Sequence, residues 1–150
     1  MANTNAQVEA ERWIRENELP QMFGQKFKQR SLMLRSKGEF KFDAASDDGK
    51  IVAVISTSGG VTSSGKLATA KLQKIRSDAF WFLMLERKPE KSIFVFTEKS
   101  MIELINDEKK KGRFPEEFET ILVMLPDTLA EKVRQSRLDA SEEVKPRKEK

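Results

Sequence analysis

The chain contains no His, Cys or Tyr, so its side-chain chemistry falls to carboxylates, amines and hydroxyls. That excludes zinc fingers, His-based triads, thiol nucleophiles and disulfide frameworks. A metal would have to be hard and oxygen-bound, as Mg²⁺ is. Carboxylates and amines alternate in Glu39-Phe40-Lys41-Phe42-Asp43-Ala44. Period two puts Glu39, Lys41 and Asp43 on one strand face, opposite Phe40, Phe42 and Ala44. Lys41 and Asp43 are then about 7 Å apart, whereas Glu39 lies about 13 Å from Asp43, too far to share an ion with it. Gly60, Gly65 and Lys66 follow the first part of a phosphate-loop pattern, but Leu67 stands where a Mg²⁺-binding hydroxyl is needed. What remains is a loop whose backbone N–H groups can meet a phosphate.

The cations are unevenly spread. Among 150 residues the formal charge is only +4. Yet the segment 22–42 holds Lys26, Lys28, Arg30, Arg35, Lys37 and Lys41 against Glu39 alone, and 63–76 holds Lys66, Lys71, Lys74 and Arg76 with no acid. Brought together, the two stretches make a basic surface suited to a polyanion.

The elements that must position these groups follow from periodicity. Thr4 followed by Gln7 is a capping-box pattern, and Val8, Trp13 and Ile14 give the first helix its apolar stripe, ending near Asn17. Met22, Phe23 and Phe27 fall in a following loop. Period two then predicts strands around Leu32–Leu34, at 39–44 and, after the turn Ser46-Asp47-Asp48-Gly49, at 51–57. The β-branched run from Ile51 to Thr57 suits a central strand buried on both faces. A helix is expected over 66–87, a strand at 92–97, a helix closing before Gly112, a strand at 120–125 and a helix opening at Pro126-Asp127. The order αβββαβαβα describes an α/β mixed sheet of about five strands flanked by helices. A single domain is expected over 1–138, followed by a charged, mobile tail at 139–150. There is no run of about 18 apolar residues and no signal-peptide pattern, so no membrane association is expected. The absence of Cys fits a reducing cytoplasm, the expected location.

This order, with Gly38 to Ser46, Asp48 to Ser58, Gly65, Lys71 and Asp78, Phe94 to Thr97, and Gly112 to Pro115, resembles the PD-(D/E)XK nuclease superfamily, the restriction-endonuclease-like fold. The resemblance covers roughly 6–138. It implies an Asp on the second strand and an acid-x-Lys on the third, the acids binding Mg²⁺ and the Lys activating water. Asp43 matches the first position. Val54 stands where the second acid is expected and Ser56 where the Lys is expected, so the chemical motif is broken. Asp43 and Ser56 would mark the inherited site, facing one cleft, with Asp43 its metal position. Glu9 or Glu11 resembles an accessory acid that some members supply from the first helix, and Lys71 and Lys74 are candidate migrated lysines.

Three functions are compatible with these residues. The first is a nuclease-derived, catalytically disabled domain, a pseudoenzyme binding double-stranded DNA through phosphates. Lys66, Lys71, Lys74 and Arg76 line its central helix, and Lys26 and Lys28 flank the groove. It needs no cofactor. The second is an active Mg²⁺-dependent endonuclease with relocated residues, for which a second carboxylate within about 5 Å of Asp43 is the discriminator. The third is an interaction or scaffold domain using the apolar 80–85 surface for a homodimer or another partner.

Overall fold

The computed structural model describes residues 5–62 and 64–144, with side chains described to 139. Thr4 lies outside them. The elements are α1 (Asn5–Trp13), a π-helical turn (Ile14–Glu18), α2 (Leu19–Phe23), β1 (Phe27–Met33), β2 (Glu39–Ser46), β3 (Ile51–Ser56), α3 (Thr69–Leu83), β4 (Lys91–Phe96), α4 (Lys99–Lys110), β5 (Glu119–Leu122) and α5 (Asp127–Val144). The predicted α/β order is observed. The first helix, however, does not stop near Asn17: the π turn carries it into α2, where Pro20 occupies an early position that needs no N–H. Gly24, at φ 70°, ends it. At the other terminus α5 runs through Val144, so 139–144 belong to the helix, and 145–150 lie outside the described residues.

The sheet runs β1-β2-β3-β4-β5. β1, β2 and β3 are antiparallel neighbours, and β3, β4 and β5 are parallel, as two helical crossovers require. One face packs Phe42, Val52, Val54, Phe94 and Phe96 against Leu72, Ile75, Ala79 and Phe82 of α3 and Met101 and Ile105 of α4. The other packs Ala44, Ala53, Ile93 and Val95 against Ile14, Leu19 and Phe27. Outside that, Ala6 and Ala10 of α1 meet Leu129 and Val133 of α5. β3 is buried on both faces, as its β-branched run predicted. Trp81 stacks on Phe40 with ring centroids 4.8 Å apart, and Phe82 enters the core, so only Phe80 and Leu83 of the apolar 80–85 run stay about half exposed.

The strict alternation expected in β2 fails at Asp43. Lys28 faces Ala45 and Arg30 faces Phe42, so two steps along β1 span three along β2. This bulge turns Ala44 to the face opposite Phe42 and re-aims its neighbour, as bulges beside functional sites do.

The loop after β3 is fastened to the start of α4. Gly60 N–H donates to Ser100 Oγ at 2.9 Å, and a Cβ at Gly60 would lie 2.8 Å from the Ser100 carbonyl carbon. Gly60→Ala should therefore force two backbones apart and destabilise the fold by about 1–3 kcal/mol, the usual range for overpacking. Thermal unfolding checks this, and an unchanged midpoint would show that the loop shifts at no cost.

Candidate active site

The site forms where β2 and β3 part. Their ladder holds only Ala44 with Ala53 and Ala45 with Val52, while β3 stays paired to β4 as far as Ser56 with Phe96. Asp43 bridges the gap: its Oδ2 accepts the Ile55 N–H at 2.7 Å. Its carbonyl accepts Arg15 Nη1 at 3.1 Å, and Arg15 is presented by the π turn. π turns of this kind recur at functional sites. Arg15 also lies 3.5 Å from Glu11.

Beside this opening lies a cleft of about 450 Å³ lined by Gln7 and Glu11 of α1, Ser56 at the end of β3, Thr57 and Ser58 just after it, and Lys71, Lys74 and Asp78 of α3. Ser56 and Glu11 face it directly. Asp43 does not itself line the cleft; its side chain hydrogen-bonds with that of Glu11. Burial, the Asp43 charge and that bond push the Glu11 carboxyl from its ordinary 4.5 up to about 7, against the pull of Arg15 and Lys74. Asp78 is also raised, first by burial, with Asp43 adding to it, although Lys74 Nζ bonds it at 2.7 Å and opposes the shift. Glu11 and Asp78 thus line the cleft with Lys71 and Lys74, while Asp43 and Arg15 contact Glu11.

This arrangement separates the expected site residues. Glu11, not Glu9, is the acid that α1 supplies; Glu9 points toward α5 and lies 3.6 Å from Lys132. Lys71 and Lys74 both line the cleft. Arg76 does not: it and Arg113, at 2.7 Å, pair with Glu108, which is only 2% exposed. Lys66 lies in the hairpin after the cleft wall. Lys26 and Lys28 stand at the far end of the sheet. The Lys26 carbonyl accepts Asp47 N–H at the β2–β3 turn, and Lys28 faces Ala45; they do not flank this cleft. Val54 is core, 4% exposed among Phe42, Phe94 and Phe96.

Among the described residues, no group of three or more Asp or Glu gathers to hold a metal ion. The Glu11–Asp43 pair nevertheless suits one hard divalent cation completed by water and substrate phosphate, the usual Mg²⁺ arrangement. Its donors are oxygens, and burial with the Asp43 charge raises the Glu11 carboxyl, so a cation between the two would relieve their repulsion. Among the described residues no helix is long and apolar enough to cross a membrane.

The proton on Glu11 makes a pH prediction. The folded chain holds it at pH values where the unfolded chain, with an ordinary carboxyl, has released it. This group's contribution is therefore full below about pH 4.5 and lost as pH rises through about 7. Glu11→Gln keeps the donor and removes the titration. Between about pH 5 and 8 the parent's thermal midpoint should fall relative to that of the variant, and parallel curves would refute the assignment.

Comparison of the chain with protein-family models, curated proteins and solved structures finds no match.

Proposed function

We propose that this chain is a nuclease-type phosphodiesterase acting on duplex DNA with the help of Mg²⁺. The observation that carries the reading is the Glu11–Asp43 carboxyl pair at the parting of β2 and β3, opening on a cleft that also holds Lys71 and Lys74. It supports the restriction-endonuclease-like reading of the sheet and the enzymatic alternative over the disabled one.

Glu11 and Asp43 would hold the cation, which supplies an acidified water and charge neutralisation at the scissile phosphate. The remaining work falls to the chain itself. The Ile55 N–H fixes one oxygen of Asp43 and leaves the other for ligation. Arg15 holds the Asp43 backbone carbonyl and pairs with the Glu11 carboxylate, so it ties the two residues together. Lys74, anchored by Asp78, sets an ammonium within electrostatic reach of Glu11, so it takes the part that the absent third-strand Lys would play. Lys71 attracts the neighbouring phosphate. Among the described residues no aromatic ring lines the cleft, which suits phosphate contact without base stacking and hence little sequence preference. Cytoplasmic residence, in keeping with a chain without Cys, belongs to the same proposal.

One observation favours the non-catalytic reading. Arg15 and Lys74 already flank the carboxylates, so the site can reach charge balance with a proton and no metal. Plasmid incubation with Mg²⁺ or Mn²⁺, alongside duplex binding by anisotropy, separates the two. Cleavage that depends on the metal and on Asp43 supports the enzyme, whereas salt-sensitive binding without cleavage supports the DNA-binding pseudoenzyme.

A further inference from the structure

Between the cleft wall, which ends at Ser58, and α3, which resumes the lining at Ala70, the chain makes a small hairpin. Val61 and Leu67 are antiparallel bridge partners. The Thr62 N–H donates to the Lys66 carbonyl at 2.7 Å, the Gly65 N–H to the Thr62 carbonyl at 2.9 Å, and the Lys66 N–H to Thr62 Oγ1 at 3.1 Å. Gly65, at φ 81°, makes the turn. The hairpin's root is pinned by the Gly60–Ser100 contact and by Ala68 N–H donating to the Gly60 carbonyl at 3.0 Å. It is therefore an anchored projection.

What it projects is unusual for a loop beside a charged cleft. Bridge partners sit side by side on one face of a ladder, and Val61 and Leu67 are 56% and 54% exposed. They form a two-residue apolar knob with Lys66 adjacent. From 59 to 77 the chain carries Lys66, Lys71, Lys74 and Arg76 and no acid. Arg76 is turned to Glu108, but Lys66 beside the knob and Lys71 and Lys74 on the adjoining cleft wall suit a polyanion, and the knob itself matches the apolar part of that polyanion's surface, the sugars and base edges of a groove.

We propose that the hairpin described at 61–62 and 64–67 is a groove-contacting finger. Val61 and Leu67 pack into the groove of a duplex whose phosphate occupies the cleft, and Lys66 pairs with a flanking phosphate. The inference rests on the nuclease-type reading and adds to it the surface that would recognise the duplex groove.

The test is anisotropy on a blunt duplex and on one of its strands, across roughly 50–200 mM salt, where phosphate-driven affinity falls steeply. Val61→Ser with Leu67→Ser changes only exposed positions, and an unchanged thermal midpoint verifies the fold. The double variant should bind duplex roughly tenfold more weakly, the effect of exposing two half-buried aliphatic contacts, with the salt slope unchanged because apolar burial releases no counterions. Its binding to the single strand should stay as in the parent. Lys66→Ala should instead lower the duplex salt slope by about 0.9. Parental duplex affinity in the double variant, while Lys71→Ala with Lys74→Ala is impaired, would overturn the finger and leave the cleft reading standing. Equal loss on duplex and single strand would also overturn it. A parent that neither binds nor cuts duplex would remove both.

Discussion

Glu108→Gln should unfold at a midpoint roughly 6–12 °C below the parent. Glu108 is 2% exposed and pairs with both Arg76 and Arg113, which join α3 and the end of α4 through it. Hydrogen bonds from Arg113 and then Arg76 hold its carboxyl below the ordinary range. Removing one partner of a buried ion cluster leaves the others uncompensated, which costs about 3–5 kcal/mol. The low end, about 3 kcal/mol, applies here, because the arginine side chains are 35% and 55% exposed and regain water. For a chain of this length that converts to the stated interval. The pH dependence has a definite sign. A lowered carboxyl contributes its stability above its unfolded value of about 4.5 and loses it as pH falls through the folded value. Parent and variant midpoints should therefore converge in acid. A gap that stays constant below pH 4.5, or a variant as stable as the parent near neutrality, would show that the triad is a bystander. Duplex binding by Arg76→Ala should be near parental, because Arg76 serves this cluster and not the cleft.

The element order was legible because each segment carries a clean period. Phe40 and Phe42 mark β2, the β-branched run marks a strand buried on both faces, and Gly112, at φ 70°, follows α4 as expected. The bulge at Asp43 and the π turn at Ile14–Glu18 were not legible. Each inserts one extra residue into a regular ladder, and no residue type there demands it. They are also what aim Asp43 and Arg15. The choice between Glu9 and Glu11 was within reach of the sequence. Ala6, Ala10 and Ile14, four apart, are the buried stripe of the first helix, and Gln7 and Glu11 flank it one residue on. Glu9, two residues from Glu11, points some 200° away. Lys71, Lys74 and Asp78 likewise share one stripe of α3, from which Arg76 is turned toward α4. Reading charge density without helical phase grouped Arg76 with the lysines. The distance of Lys26 and Lys28 from the cleft depended on strand register, which charge counting does not contain.

The largest functional effect should come from the carboxyl pair. Asp43→Asn and Glu11→Gln are each expected to lower Mg²⁺-dependent plasmid cleavage by at least about 100-fold, since a metal-held water and a neutralised phosphate together supply several kcal/mol. Each substitution nearly preserves shape, and the side-chain amide that Glu11→Gln introduces can still donate to Asp43, so folding should survive and the loss should be chemical. Duplex binding should be unchanged or slightly tighter in Asp43→Asn, which removes a negative charge beside the phosphates. Calorimetry adds a second readout. Mg²⁺ affinity should rise with pH up to about 7, as the cation displaces the Glu11 proton, and should fall sharply in both variants. Lys74→Met should slow cleavage while leaving Mg²⁺ affinity intact, because the ammonium assists the reaction without ligating the ion. Cleavage by Asp43→Asn at the parental rate would remove the metal-dependent reading altogether. Strong duplex binding by a parent that never cuts would instead assign the cleft to phosphate capture, with Arg15, Lys71 and Lys74 supplying the positive charge.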